Sequence, residues 1–195
     1  TTGAYNTGLG YGALSGNTTA SYNTAVGSLA LVANTTGDRN LAVGTSALEA
    51  NTTGESNTAL GSNALDSNTT ASNNTAVGKS ALAANTTGIH NTAVGKSSME
   101  AITTGQGNTA IGALSLDAGT TANDNTSLGY KALTTNTTGH YNVAVGKDAL
   151  EMATTASNNT AVGYKSLEEN TTGASNTTVG YKAGASVTTG GTNVI

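Results

Sequence analysis

Asn74-Thr-Ala-Val-Gly-Lys-Ser-Ala-Leu-Ala-Ala-Asn-Thr-Thr-Gly88 is one copy of a unit that recurs every seventeen residues from Tyr5 to Gly191. When the unit is counted from the residue before the recurrent Asn, eleven units follow without an insertion, beginning at residues 5, 22, 39, 56, 73, 90, 107, 124, 141, 158 and 175. A fixed short period is typical of solenoids, in which stacked units share a core that no single unit can build. We therefore predict a single elongated repeat domain over residues 1–195.

Composition limits what the interior can contain. Phe, Trp, Pro and Cys are absent, charged residues make up 9%, and the formal net charge is −4. Each unit offers only two sizeable aliphatic side chains, so the predicted interior is thin. The absence of Cys excludes a disulfide framework. No apolar run approaches the roughly 18 residues that span a bilayer, and we expect neither a signal peptide nor membrane insertion. The chain begins and ends inside a unit, so we expect it to be a processed chain or part of a longer one.

Positions 2 to 6 of the unit, such as Asn91-Thr-Ala-Val-Gly95, predict a β-strand. In an extended segment, Asn, Ala and Gly point to one side, whereas Thr and Val point to the other. The strands recur at equal spacing without a hairpin signal between them, so they are predicted to be parallel rungs about 4.8 Å apart. The fold class is therefore a mainly β, repetitive parallel β-solenoid of about eleven coils of seventeen residues, on the order of 50 Å long.

Positions 7 to 12 leave two predictions open, a second strand or a short helical turn at the x-x-Ala-Leu-x-x segment. The helical alternative is favoured by composition and by Lys and Glu at i,i+4 spacing, as in Lys147 and Glu151. It is opposed by size, because neighbouring helices pack about 8 to 10 Å apart, twice the rung spacing. Asn at position 13 is expected to close the turn in the left-handed conformation.

The Asn at position 2 is predicted to be structural. Side-chain amides on successive rungs can bond to one another and to backbone groups that a coil corner leaves unpaired. The predicted ladder contains Asn23, Asn40, Asn57, Asn74, Asn91, Asn108, Asn125, Asn142 and Asn159.

Catalysis needs a constellation placed once, whereas the unit places its residues eleven times. His90 and His140, the only histidines, stand three units apart, so neither a metal pair nor a catalytic dyad is expected. We predict a protein that is not an enzyme, with no catalytic residue, metal or cofactor. Nucleic acid is not an expected partner either, because the chain is acidic and its few Lys residues are balanced by carboxylates.

Exposed tyrosines and the repeated Thr pairs suggest two kinds of ligand. Exposed Tyr can stack on and hydrogen-bond to sugars, and the candidate glycan contacts are Tyr130, Tyr164 and Tyr181; covering of neighbouring aliphatic groups is the alternative. The Thr-Thr pair at positions 14 and 15 predicts one outward file of hydroxyls with the position-13 Asn beside it, which is a candidate ice-binding surface. The seven Asn-Thr-Thr triplets at positions 13 to 15 also match the N-glycosylation acceptor.

The Asn-Thr-Ala-Val-Gly-x-x-Ala-Leu-x-x-Asn-Thr-Thr-Gly unit resembles the repeat regions of phage tail-fibre-like proteins and other bacterial surface fibres. Its Asn-Thr-Ala-Val-Gly core is also similar to the repeats of trimeric autotransporter adhesin heads, although the seventeen-residue unit is longer than theirs. The resemblance covers essentially the whole chain. It implies a β-solenoid, commonly trimeric, that projects from a virion or cell and contributes to attachment.

The apolar outer face of the predicted strands indicates a homo-oligomer, either a lateral trimer or a filament. We predict a non-enzymatic structural module of an extracellular or virion fibre or adhesin, a stiff rod that gives reach and attachment. The alternatives are a self-assembling surface filament and an ice- or glycan-binding β-solenoid.

Overall fold

A computed structural model describes residues 2–195, and within them the chain forms a parallel β-solenoid. Each unit contributes one three-residue strand at positions 3 to 5, and the strands pair in chain order into one eleven-stranded parallel sheet. The strands are β1 Thr7–Leu9, β2 Thr24–Val26, β3 Leu41–Val43, β4 Thr58–Leu60, β5 Thr75–Val77, β6 Thr92–Val94, β7 Thr109–Ile111, β8 Thr126–Leu128, β9 Val143–Val145, β10 Thr160–Val162 and β11 Thr177–Val179.

The register of the sheet follows the repeat. Thr75 of β5 pairs with Thr92 of β6, seventeen residues later, and Ala76 pairs with Ala93. Identical positions therefore form continuous files along the rod. Beyond β11, one bridge joins Thr177 to Val194.

The core is thin, as predicted, and consists of three files. Ala at position 4 on the inner face of the sheet, Ala at position 9 and Leu or Met at position 10 are fully buried in most coils. In β5, Ala76 is fully buried while Thr75 and Val77 are only partly covered. The predicted division of the strand into a small inner face and a Thr and Val outer face is confirmed.

The middle of the unit contains neither a helix nor a second strand in residues 2–195, so both alternatives for positions 7 to 12 are wrong. A helix would pair each N–H with the carbonyl four residues earlier in the same coil. Here alternate N–H groups reach neighbouring coils instead: Leu29 N donates to Tyr11 O at 2.8 Å, and Leu31 N donates to Ala47 O at 3.0 Å. The segment is a series of turns that bonds from coil to coil.

Alternating backbone conformations make this pattern possible. Leu29 and Leu31, at positions 8 and 10, have φ of 60° and 50°, and the same two positions are left-handed in the other coils. Position 1 is left-handed as well, with φ of 61° at Tyr22. The predicted left-handed Asn at position 13 is wrong, because its turn is closed by a side-chain bond instead. No helix within residues 2–195 is long and apolar enough to cross a membrane.

Candidate functional site

The position-2 asparagines form a buried file along the inner edge of the sheet. Asn91 N–H donates to Asn74 Oδ1 at 2.9 Å, and Asn91 Nδ2 donates to Gly105 O at 2.8 Å. On the next coil, Asn108 Nδ2 donates to Asn91 Oδ1 at 3.1 Å. The backbone N–H bond to the preceding Asn and the Nδ2 bond to the position-16 carbonyl are made by all nine predicted ladder residues: Asn23, Asn40, Asn57, Asn74, Asn91, Asn108, Asn125, Asn142 and Asn159.

This arrangement satisfies groups that the short strand leaves unpaired. The following residue, Thr92, donates its N–H forward to the carbonyl of Asn108 at 2.8 Å. The N–H of Asn91 faces the preceding coil, where the side-chain oxygen of Asn74 is the acceptor. A buried N–H without an acceptor costs about 1 to 3 kcal/mol, so the side chain substitutes for a missing backbone partner.

A second asparagine file stands at position 13, and sequence reasoning missed it. Asn51 Nδ2 donates to Asn34 Oδ1 at 2.9 Å, and Asn68 Nδ2 donates to Asn51 Oδ1 at 2.8 Å. The two files converge, because Gly88 O accepts from Nδ2 of both Asn74 and Asn85, at 2.9 and 3.0 Å. The recurrence of Asn at both positions was the available signal.

The second file is interrupted where the repeat departs from Asn. Position 13 is Ile102 in the sixth unit and Gly119 in the seventh. Asn85 Oδ1, which faces the Ile102 rung, is buried without a hydrogen-bond partner among residues 2–195. Ile102 Cδ1 lies 3.1 Å from the point that a Cβ on Gly119 would occupy. The Ile102 side chain thus extends over the place of the next rung, and two rungs of the ladder are missing.

Burial also limits glycosylation at the position-13 triplets of the folded rod. An acceptor Asn must present its side-chain nitrogen to solvent. Of the seven triplets that begin at position 13, six have a fully buried Asn, and only Asn17 is partly exposed; the buried ones are Asn34, Asn51, Asn68, Asn85, Asn136 and Asn170.

The outer face of the sheet is a strip of two side-chain files, positions 3 and 5, which we call the Thr–Val strip. Position 5 is aliphatic in every unit; position 3 is Thr except at Leu41 and Val143. Within the rod, Leu60 and Ile111 are 45% and 41% exposed. No charged residue stands at either position in any unit.

In each Thr-Thr pair inside the rod, the first Thr forms a hydrogen bond to the next coil and the second is exposed to solvent. The position-14 hydroxyl donates to the carbonyl of the same position on the next coil, as from Thr52 Oγ1 to Thr69 O at 3.1 Å. The position-15 Thr, such as Thr53 and Thr70, is exposed. This is the single outward file that the sequence predicted, but the Asn expected beside it is buried in the second ladder.

The three candidate glycan contacts lie on one side of the rod at position 7, with Lys147 on the coil between the first two. The rings of Tyr164 and Tyr181 stack with centroids 5.5 Å apart and planes 24° apart. Lys147 Nζ lies 5.8 Å from the ring centroids of both Tyr130 and Tyr164. Tyr164 therefore has neighbours along the rod on both sides, whereas Tyr130 and Tyr181 are 46% and 73% exposed.

The two histidines are far apart in the sequence and lie in different local environments. His140 Nδ1 accepts from the backbone N–H of Asn123 at 3.0 Å. His90 borders a shallow open depression that also includes Asp124, formed where Gly107 leaves position 1 without a side chain. Over residues 2–195, no three His, Cys, Asp or Glu side chains lie together in a way that could hold a metal ion.

The acidic file at position 11 contains three pairs of carboxylates on adjacent coils, and in two of them a pKa is raised. Burial raises the pKa of Asp66, and the charge of Glu49 on the preceding coil raises it further. Burial likewise raises the pKa of Asp117, with Glu100 adding to the effect. Both aspartates are thus harder to ionise in the folded rod than in the unfolded chain.

Two lysines from position 8 approach the same acidic file. Lys131 Nζ lies 3.4 Å from Glu151 Oε1, and Lys165 pairs with Glu168, a contact that raises the pKa of Lys165. The i,i+4 pairs expected of a helix are replaced by these contacts, because the segment is not helical. Exposed pairs of this kind add little stability, and they form a mixed, solvated face.

These features build a rod of repeated hydrogen bonds whose outer surface includes the uncharged Thr–Val strip. No known family model matches the chain, and neither a curated protein nor a solved structure matches it.

Proposed function

We propose that this chain is a non-enzymatic structural module of an extracellular or virion fibre or adhesin, a stiff rod that provides reach and attachment. The observation that supports this proposal is the continuity of hydrogen bonding between coils. Each coil bonds to the next through its strand, its middle turns, the Thr at position 14 and the Asn at position 2.

Stiffness follows from where these bonds lie. They surround the thin core on the sheet side and on the side of the middle turns, so bending in either direction must lengthen bonds between coils. In a solenoid, each unit contacts only its neighbours, so length is added without changing the local structure. The side chains that make these bonds hold the coils in a stack along one axis.

The location of the rod tests the proposal. A gold-tagged antibody raised against the purified chain is applied to intact producing cells and to the particles that they release. Gold on projecting fibres is the expected result. Gold that appears only after the cells are opened would contradict a role in surface or virion fibres.

Attachment is assigned to the position-7 tyrosines, because Tyr130 and Tyr181 remain accessible beside Lys side chains that can donate to sugar hydroxyls. On a glycan array, we expect binding that falls at least about tenfold, or 1.4 kcal/mol, in Tyr130→Ala and Tyr181→Ala. Tyr22→Ala removes an exposed ring from the other end of the rod and serves as the control. Equal binding by all variants would leave the rod as a spacer without this contact.

A further inference from the structure

The Thr–Val strip differs from the other exposed positions because the repeat keeps position 5 aliphatic in every unit. Position 7 is also exposed in several coils, and it varies among Tyr, Ser, Thr, Lys and Ala. Position 5 is Val, Leu or Ile in all eleven units, although it remains partly exposed. Even the departures from Thr at position 3, Leu41 and Val143, are aliphatic. A surface that met only water would not need to remain aliphatic.

Charge surrounds the strip without entering it. On one side, position 1 includes Arg39 and Asp124; on the other, positions 7 and 8 carry six lysines and Asp148. An apolar centre with a polar rim is the usual anatomy of a protein interface. A strip without charge also lets two chains of net charge −4 meet without placing like charges in the contact.

We propose that the Thr–Val strip is the surface on which the rod packs against a further copy of the same chain. The inference rests on the proposed function as a fibre rod. A second copy presents the same files at the same rung spacing, so Thr and aliphatic side chains can interdigitate over the full length, as the inner faces of two packed sheets do. A globular partner would touch only a few coils.

The strip is large enough for a stable contact. Eleven rungs make it about 50 Å long, and two files with their side chains make it about 15 Å wide. The area is then about 750 Å² per copy, close to the 800 Å² that each partner contributes to a standard interface.

An ice surface is a poorer occupant of the same strip. A crystal face would require the same outline on every rung, but position 5 changes size from Val77 to Leu60 and Ile111. Aliphatic residues of varying size are typical of protein packing, where neighbouring side chains adjust to one another.

The test measures the molar mass of the purified chain in solution over a range of concentrations. The wild-type chain is expected to form a multiple of its 19.0 kDa mass. Val77→Lys with Val94→Lys places two charges on the strip and is expected to reduce the mass to that of one chain. Thr87→Lys with Thr104→Lys adds the same charges to the same coils at position 15, and it should assemble like the wild type.

Thermal unfolding followed by circular dichroism shows whether each variant keeps its fold, so that loss of assembly is not mistaken for unfolding. If the wild-type chain forms a filament and the Val77→Lys, Val94→Lys variant does not, the result would support the strip as the contact. The proposal is overturned by a wild-type chain that stays monomeric at every concentration, with or without thermal hysteresis, or by assembly that survives in a folded Val77→Lys, Val94→Lys variant. Surface labelling of fibres by the antibody would be unaffected by either result.

Discussion

At the level of single residues, the two asparagine files differ in how completely their side chains are bonded. Asn68 donates to Asn51 Oδ1 and to Ala71 O, and its own oxygen accepts from Asn85 Nδ2. Asn85 donates twice, but its oxygen has no partner because the next rung is Ile102. The same residue type at the same position therefore makes different contributions to stability.

We expect Asn68→Ala to lower the free energy of unfolding by about 1 to 3 kcal/mol, because it leaves the buried oxygen of Asn51 without its donor. Asn85→Ala should cost less, since it also removes a buried oxygen that was already unpaired. Denaturant titration of both variants beside the wild type measures the difference. Equal losses, or a larger loss for Asn85→Ala, would argue against the bonding described for this file.

Two aspartates of the acidic file should make stability depend on pH in the direction opposite to ordinary acid denaturation. The pKa values of Asp66 and Asp117 are raised above the ordinary value of 3.8, chiefly by burial and then by Glu49 and Glu100. The folded state therefore binds these protons more tightly than the unfolded state does. Their contribution is fully present below pH 3.8 and is lost as pH rises through the raised pKa values.

Asp66→Asn with Asp117→Asn removes this loss. The variant is expected to melt at a higher temperature than the wild type at pH 7, and the advantage should shrink as the pH falls toward 4. Glu55→Gln with Glu169→Gln removes the same two charges at exposed positions and controls for net charge. A melting difference that stays constant over this pH range would contradict the assignment to these aspartates.

Residue identity predicted only part of this bonding. The invariance of Asn at position 2 indicated a structural role, and the nine predicted residues all lie in the buried file, together with Asn176. Position 13 was interpreted as a left-handed turn residue because Asn favours that conformation. Its actual role depends on the position-16 carbonyl, which a local pattern does not place beside it.

At the level of elements, the Gly at position 6 is where each strand turns into the middle segment. Gly95 has φ of 134°, and a Cβ on it would lie 2.6 Å from the carbonyl carbon and oxygen of Gly112 on the next coil. Both the backbone conformation and the close approach of the next coil therefore require Gly here.

Gly95→Ala is expected to cost at least about 2 kcal/mol, because strain and overlap with a neighbouring backbone add together. Gly107→Ala is the matched control inside the rod. It also has positive φ, at 70°, but its Cβ would meet only the movable carboxylate of Asp124. Denaturant midpoints compare the two variants, and an equal loss would show that coil spacing does not limit position 6.

The strands could be predicted because alternation and equal spacing are local properties of the chain. The middle segment could not, because its structure depends on the distance to the next coil. About 4.8 Å between rungs leaves no room for a helix. At this spacing, alternate N–H groups bond to the following coil and to the preceding coil, which requires positive φ at positions 8 and 10. The Leu, Ser and Lys residues at these positions give no local sign of a positive φ.

At the scale of the whole molecule, every coil repeats the same bonds, so removing whole units should shorten the rod without unfolding it. Deletion of residues 73–123, three complete units, keeps the register and should shorten the rod by about 14 Å. Deletion of residues 73–80 leaves one unit eight residues short, which should break the stacking between the coils before and after it and make the melt broader or divide it into two. Circular dichroism melts distinguish the two, and similar melts would contradict a register-dependent rod.

The central claim is that each seventeen-residue unit advances the rod by one rung. Electron cryo-microscopy of arrays made by joining one, two and three copies of residues 5–191 in phase tests it directly. The predicted result is particles of constant width whose length increases by about 4.8 Å for each added unit. Particles whose width and length grow together would contradict a solenoid rod and the fibre function proposed from it.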